Sequence, residues 1–341
     1  MQKCVRLDKV KSENQTGFKA KWQGLIPQLR PCQYYILNEI SMGGDAPKEF
    51  IKWYRYGFAN KANRKFWPAY LAKSAEKWYP NECITEHLLN QMGSLAGLRM
   101  APSELRIANE QIRFLSRYFL KKDESLVHGA QIYATYLLDD GFEFMREVEE
   151  KKMESDLFPF QEAERAIRFT FPLEATQILQ DLVKLLIFDA IIGNNDRHFY
   201  NWGVVTNIKG RTKPIFSPIF DTARGLLWNE SESKVMDLSK NTARADLFLA
   251  KYTKNSVPKM RWEGEKSVNH FRFIELLYHT DGRFNHLCHQ LITNDNLIAF
   301  KTLIDTDFKG LFSKERAALM KKTLEIRFAT LLSVINKKSP V

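Results

Sequence analysis

The stretch IIGNNDRHFYNWGVV, residues 191–205, decides how the rest of the chain reads. It sets Gly193, Asn194, Asn195, Asp196, Arg197, His198 and Asn201 between two apolar runs. Upstream, TQILQDLVKLLIFDAII (176–192) is apolar on nearly every side, as expected of a central, largely buried helix. Downstream, NWGVVTNIKGRTKPIFSPIFD (201–221) alternates through Trp202, Val204, Ile215 and Ile219 around a loop with Gly and Lys, which predicts two strands and a flexible turn. A polar loop pinned between a buried helix and a strand is a rigid frame for side chains that must be positioned.

Asp196 and Asn201 form D-x-x-x-x-N, the spacing of the protein-kinase catalytic loop, where the Asp takes a hydroxyl proton and the Asn holds magnesium. Phosphoryl transfer needs a carboxylate beside the attacking hydroxyl and hard oxygen ligands on the metal. Asp221, in PIFSPIFDTARGL, ends the second predicted strand and supplies a second carboxylate where the chain leaves the sheet. Each residue also has a plain reading. Asp221 before Thr222 fits a turn or helix cap, and Asn201 fits a local backbone partner.

Outward from this core, residues 1 to about 118 mix β-rich pieces, CQYYILNEI and FWPAYLAKS, with the loop SMGGDAPKEF. A helix is predicted near 82–96, where Ile84, Leu88, Leu89, Met92 and Leu95 recur on one face. ELRIANEQIRFLSRYFL predicts two short strands joined at Ala108 to Glu110. From about 121 onward the pattern is helical, broken by the single hairpin already described, and the last helix runs from near Ser313. FIKWYRYGFANKANRKFWPAY mixes cations with rings as a single-strand nucleic-acid groove does, and strand-forming sequence explains it as well.

The chain has 341 residues, 44% hydrophobic, enough for one large domain or two lobes. Its net charge of +11 is spread over nearly every segment, which suits acidic partners such as nucleotides without singling one out. Cys4, Cys32, Cys83 and Cys288 lie too far apart for a zinc site or a disulfide scaffold, so a reducing, cytosolic setting is expected. No window reaches the roughly 18 apolar residues of a membrane helix, and the N-terminus lacks a signal-peptide pattern.

IIGNNDRHFYNWGVV followed by SPIFDTARGL resembles the HipA-like serine/threonine kinases, whose pattern runs Gly-Asn-x-Asp-x-His, then Asn, then Pro-Ile-Tyr/Phe-Asp. Asp-Arg-His-x-x-Asn is also similar to the catalytic loop of the phosphoinositide 3-kinases, distant relatives of that family. The resemblance runs from about residue 36 to the C-terminus. It implies an α+β, two-lobed, protein-kinase-like fold, with a small mixed N-lobe over 1–118 and a larger, mainly helical C-lobe over 119–341.

The resemblance also implies site roles. Asp196 would be the catalytic base, and Asn201 and Asp221 would hold Mg2+. Lys73, at the end of a predicted strand, would grip the ATP phosphates. Glu86, on the following helix, would be its ion-pair partner, with Glu82 as the competing choice. Ser41, Gly43 and Gly44 would belong to the phosphate-covering loop, with Ser41 at the position where the family autophosphorylates. A phosphate there adds charge beside the nucleotide and would serve as an off switch. His198 is expected to brace the loop. Arg197 would stabilise phosphate charge or pair with a carboxylate.

Leu115, in RFLSR, stands where the family often has an acid, and only some 35 residues precede the glycine loop, so the chain reads as a compact member. Family resemblance further implies a bacterial, cytoplasmic toxin, delivery into a host left open, that phosphorylates a protein such as an aminoacyl-tRNA synthetase. A helix-turn-helix antitoxin would be its partner and its only link to DNA. Two other readings stay open: a lipid or small-molecule kinase, and a non-catalytic co-repressor module.

Overall fold

The computed structural model describes residues 6–16, 24–37, 48–57, 60–137, 143 and 159–337. Two short strands, β1 (Asn14–Gln15) and β5 (Trp78–Tyr79), pair in parallel and tie the N-terminal segment to the small lobe. The main sheet is antiparallel, in the order β2-β3-β4-β7-β6. Its strands are β2 (Tyr34–Ile36), β3 (Lys48–Trp53), β4 (Ala69–Lys73), β6 (Ser103–Ala108) and β7 (Gln111–Arg117).

Period-two alternation gives this sheet two faces. Ile51, Trp53, Tyr70, Ala72 and Leu115 fill one face and pack with Leu7 and Leu29 of the N-terminal segment. Leu115 is thus a core residue, 0% exposed, facing Ala72 of β4. The opposite face carries Leu71, Lys73 and Phe114, and helix α1 (Asn81–Leu95) packs against β6 and β7 with Ile84, Leu88, Leu89 and Met92 fully buried. The β6–β7 hairpin closes on Asn109 and Glu110 at φ 49° and 63°, both left-handed as a two-residue type I′ turn requires.

Beyond Arg117 the chain is mainly helical but opens with a strand, β8 (Glu124–His128), which leads directly into α2 (Gly129–Leu137). This corrects the expectation of a single hairpin after residue 121. β8 pairs with β9 (Gly203–Asn207), which pairs with β10 (Ile215–Phe216), giving three antiparallel strands. ESLVH carries little strand signal of its own, and pairing with β9 supplies what local preference does not. Ile219, expected in the second strand, lies beyond it and bridges to Met100.

After α3 (Phe160–Thr170) comes the central α4 (Ala175–Ile192), whose residues Leu182 to Ile192, apart from the partly buried Lys184, are at most 3% exposed. Around it lie α5 (Glu232–Ser239), α6 (Thr242–Lys254), α7 (His270–Leu276), α8 (Asn285–Leu291), α9 (Asn294–Asp305) and α10 (Lys314–Asn336). Ser313 caps α10 by accepting from the Arg316 N–H, as the sequence led one to expect of that start. Gly193 ends α4 in the left-handed conformation, φ 74°, and turns the chain into the polar loop. Among the described residues no helix is long and apolar enough to cross a membrane.

Candidate active site

The loop after α4 is held by a buried ionic network. Asp189 sits one turn before the end of α4, 1% exposed, and accepts from Arg197 Nε at 2.9 Å and from Asn194 Nδ2 at 2.8 Å. Arg197, 2% exposed, has its Nη1 donating to Asn201 O at 2.8 Å and to Phe220 O at 2.7 Å. One guanidinium nitrogen therefore clamps the backbone of Asn201 to the residue that precedes Asp221. That contact joins two motif halves that lie far apart in sequence. It also decides between the two readings of Arg197, which pairs with a carboxylate and is closed off from a phosphate.

Asn201 Nδ2 donates to Asp196 O at 2.8 Å, so the side-chain oxygen is what this amide offers to a ligand. The Asp196 N–H donates to Asn194 Oδ1 at 3.2 Å, which fixes its backbone from the other side. Its carboxylate Oδ1 accepts from Arg224 Nη1 at 3.0 Å. His198 Nδ1 accepts from the Tyr200 N–H at 3.3 Å, a bracing contact inside the loop.

Across the cleft, Lys73 ends β4 and faces two carboxylates. Its Nζ lies 2.9 Å from Glu86 Oε1 and 2.6 Å from Asp221 Oδ1. Glu82, the competing partner in the first turn of α1, instead accepts from the backbone N–H groups of Lys77 and Trp78 ahead of that helix. Burial works against the Lys73 ammonium, but Asp221 and Glu86 outweigh it and raise its pKa. For Glu86 burial dominates and pushes the carboxyl up, with Lys73 offsetting part of the shift. Asp221 feels burial too, yet Lys73 beside it holds the carboxyl down at about 2, with Lys48 and Arg197 adding to the effect. Its side chain is 36% exposed, against 11% and 5% for Lys73 and Glu86.

The structure thus brings together Lys73, Glu86 and Asp221 as one ion cluster, and Asp196 and Asn201 as one loop, with Arg197 tying the two. Ser41, Gly43 and Gly44 lie outside the described residues. Asp221 and Asn201 offer few hard oxygen donors, which fits a magnesium ion that takes the rest of its shell from water and phosphate. Among the described residues no group of three His, Cys, Asp or Glu side chains forms a metal site of the all-protein kind.

Sequence reasoning missed Asp189 and Arg224. The signal for Asp189 was there, a lone acid in LLIFDAII, since a carboxylate on a buried helix needs a partner. Arg224 had none, because its meeting with Asp196 depends on how residues 221–227 fold back.

The HipA-like C-terminal domain model matches residues 40–273 of the chain. In the crystal structure of the Helicobacter pylori proinflammatory kinase CtkA, the fold superposes with a TM-score of 0.69 at 16% identity, covering 88% of this chain and 94% of that one. HipA of Shewanella oneidensis MR-1, solved with HipB and operator DNA, gives a TM-score of 0.49 at 13% identity, over 89% of this chain and 70% of that one. No curated protein matches the sequence. The likeness to CtkA shows a two-lobed kinase-like fold.

Proposed function

The chain belongs to the HipA-like C-terminal domain family, and from that premise we propose that it is an ATP- and magnesium-dependent kinase acting on serine or threonine hydroxyls of a protein. The observation that carries this reading is the convergence of Asp196, Asn201 and Asp221 through Arg197, opposite the Lys73–Glu86 pair. We place the division between the lobes at residues 118 and 119, where the Tyr118 N–H makes a last bond to Ala69 O of the sheet.

In this reading Lys73 keeps Glu86 as its partner and turns its remaining donors to the phosphates of ATP, while Asp221 and Asn201 hold magnesium. The metal supplies neutralisation of phosphate charge. Asp196 accepts the proton of the acceptor hydroxyl as its oxygen forms a bond to the γ-phosphorus. The bond from that phosphorus to the β–γ bridging oxygen breaks, and ADP leaves with the electron pair. Asp196 is fixed for this by its backbone bonds to Asn194 and Asn201, so little reorganisation accompanies proton transfer. Autophosphorylation at Ser41, and a helix-turn-helix antitoxin as partner, belong to the same proposal and rest on the family resemblance.

Labelled ATP with magnesium, offered to the protein itself, to casein and to phosphoinositide vesicles, tests it. Label is expected on protein and not on lipid, and Asp196→Ala should remove it by at least about 1,000-fold without changing the melting temperature. Equal labelling by Asp196→Ala, or label confined to lipid, would overturn the proposal.

A further inference from the structure

The segment after Asp221 reads DTARGLL, residues 221–227, and its backbone is unusual. Asp221, Leu226 and Leu227 have φ of 56°, 46° and 62°, the left-handed region that side chains with a Cβ rarely adopt. Tertiary contacts hold it there. A Cβ on Gly225 would lie 2.8 Å from Ile192 O, so only glycine allows this approach. The Leu226 N–H donates to that same Ile192 O at 3.2 Å, and the Leu227 N–H donates to Tyr252 Oη at 3.0 Å. The segment is seated on the last turn of α4, immediately before the loop that carries Asp196.

What this seating aims at the loop is Arg224. Its Nη1 meets Asp196 Oδ1 at 3.0 Å, and its guanidinium lies 5.5 Å from the centre of the Trp228 ring. The two charged side chains are 28% and 20% exposed, so the pair is largely buried but still in contact with solvent. A guanidinium has five N–H donors in a planar fork, and the bond to Asp196 uses one of them. Of the other cations bonded in the site, Arg197 is committed to Asp189 and two carbonyls, and Lys73, between Glu86 and Asp221, is the one assigned above to the phosphates of ATP.

We infer that Arg224 is a catalytic residue of the proposed phosphoryl transfer, placing its remaining donors on the phosphoryl oxygens while the group passes from ATP to the hydroxyl at Asp196. This rests on the kinase reading above. During transfer the acceptor oxygen bonds to phosphorus, the bridging-oxygen bond breaks toward ADP, and the hydroxyl proton goes to Asp196. Charge spreads over the three equatorial oxygens, where a planar cation is worth most. Arg224 keeps its one bond to Asp196, so base, acceptor and phosphoryl group are held on a common frame.

Calorimetric binding of ADP with magnesium, with and without aluminium fluoride as a planar phosphoryl mimic, separates this from a structural role. Wild-type protein should bind the aluminium fluoride complex more tightly than ADP alone. Arg224→Ala should keep ADP affinity within about 3-fold and lose at least about 10-fold of that gain, and Arg224→Lys should restore part of it. In transfer assays kcat should fall about 100- to 1,000-fold in Arg224→Ala with KM for ATP little changed. An undiminished aluminium fluoride gain in folded Arg224→Ala protein or, should that variant not fold, in Arg224→Gln, overturns the role of Arg224 alone. Absence of ADP binding by the wild type overturns the kinase reading and this inference together.

Discussion

The Asp189–Arg197 pair and the Lys73–Asp221 pair serve the same site at similar distances, 2.9 and 2.6 Å, but differ in access. In the first, both side chains are at most 2% exposed and every bond runs to protein. In the second, the Asp221 side chain is 36% exposed and Lys73 has Glu86 as well. The buried pair has no other partner to take, so it acts as scaffold. The cleft pair can change partners, which is what binding a metal and a nucleotide requires.

Asp189→Ala attacks the scaffold and should have the largest effect on folding. It strands the Arg197 guanidinium in the core and frees Asn194, so the unfolding free energy should drop by about 3–5 kcal/mol in urea titration. Loss of the clamp on Asn201 and Phe220 should remove activity even where the variant still folds. A loss below about 1 kcal/mol would erase the distinction between the two pairs.

This contrast also marks what a reader of the sequence could and could not see. The amphipathic face of α1, the apolar α4 and the β6–β7 hairpin follow from periodicity and turn chemistry, which are local. Asp196, Asn201 and Asp221 stood out by their spacing and Lys73 by the family resemblance, and the structure joins the loop to Asp221 through Arg197 and Asp221 to Lys73. β8 was not visible, since its strand character comes from β9. Arg224 stayed hidden because three left-handed residues and the close approach of Gly225 redirect the chain, and none of these leaves a pattern in the letters.

A neutral, partly buried group sharpens the comparison with an intermediate effect. His87 on α1 shares a hydrogen bond of 2.9 Å with Ser103 Oγ and packs 5.4 Å from the centre of the Phe308 ring. Burial, with Arg106 adding to it, pushes its pKa down to about 4. The unfolded chain, with an ordinary imidazole near 6.5, therefore binds the proton more readily between these values. Stability is full above about pH 6.5 and is lost as the pH falls toward 4, by on the order of 1–2 kcal/mol between pH 7 and 5. Melting temperatures over that range should fall for the wild type and fall less for His87→Gln; parallel curves would show that His87 is not the group responsible.

Asp221→Asn tests the cleft pair itself and should have the smallest effect on folding. Lys73 keeps Glu86 and water reaches the substituted side chain, so the change in unfolding free energy should stay below about 1 kcal/mol. The Asp221 carboxyl, held at about 2 by Lys73 against the upward push of burial, gives stability that is present above its ordinary value of 3.8 and lost only as the pH falls from there toward 2. That window lies below the one set by His87, so the contribution is fully present near neutral pH, where the variant should melt slightly below the wild type, and the two should converge as the pH falls toward 2. Under the proposed kinase reading, phosphoryl transfer should nonetheless fall by at least about 1,000-fold, because an amide at this place would no longer bring a negative charge to the metal. A variant as unstable as Asp189→Ala would make Asp221 part of the scaffold, and a variant that still transfers phosphate would move the metal site elsewhere.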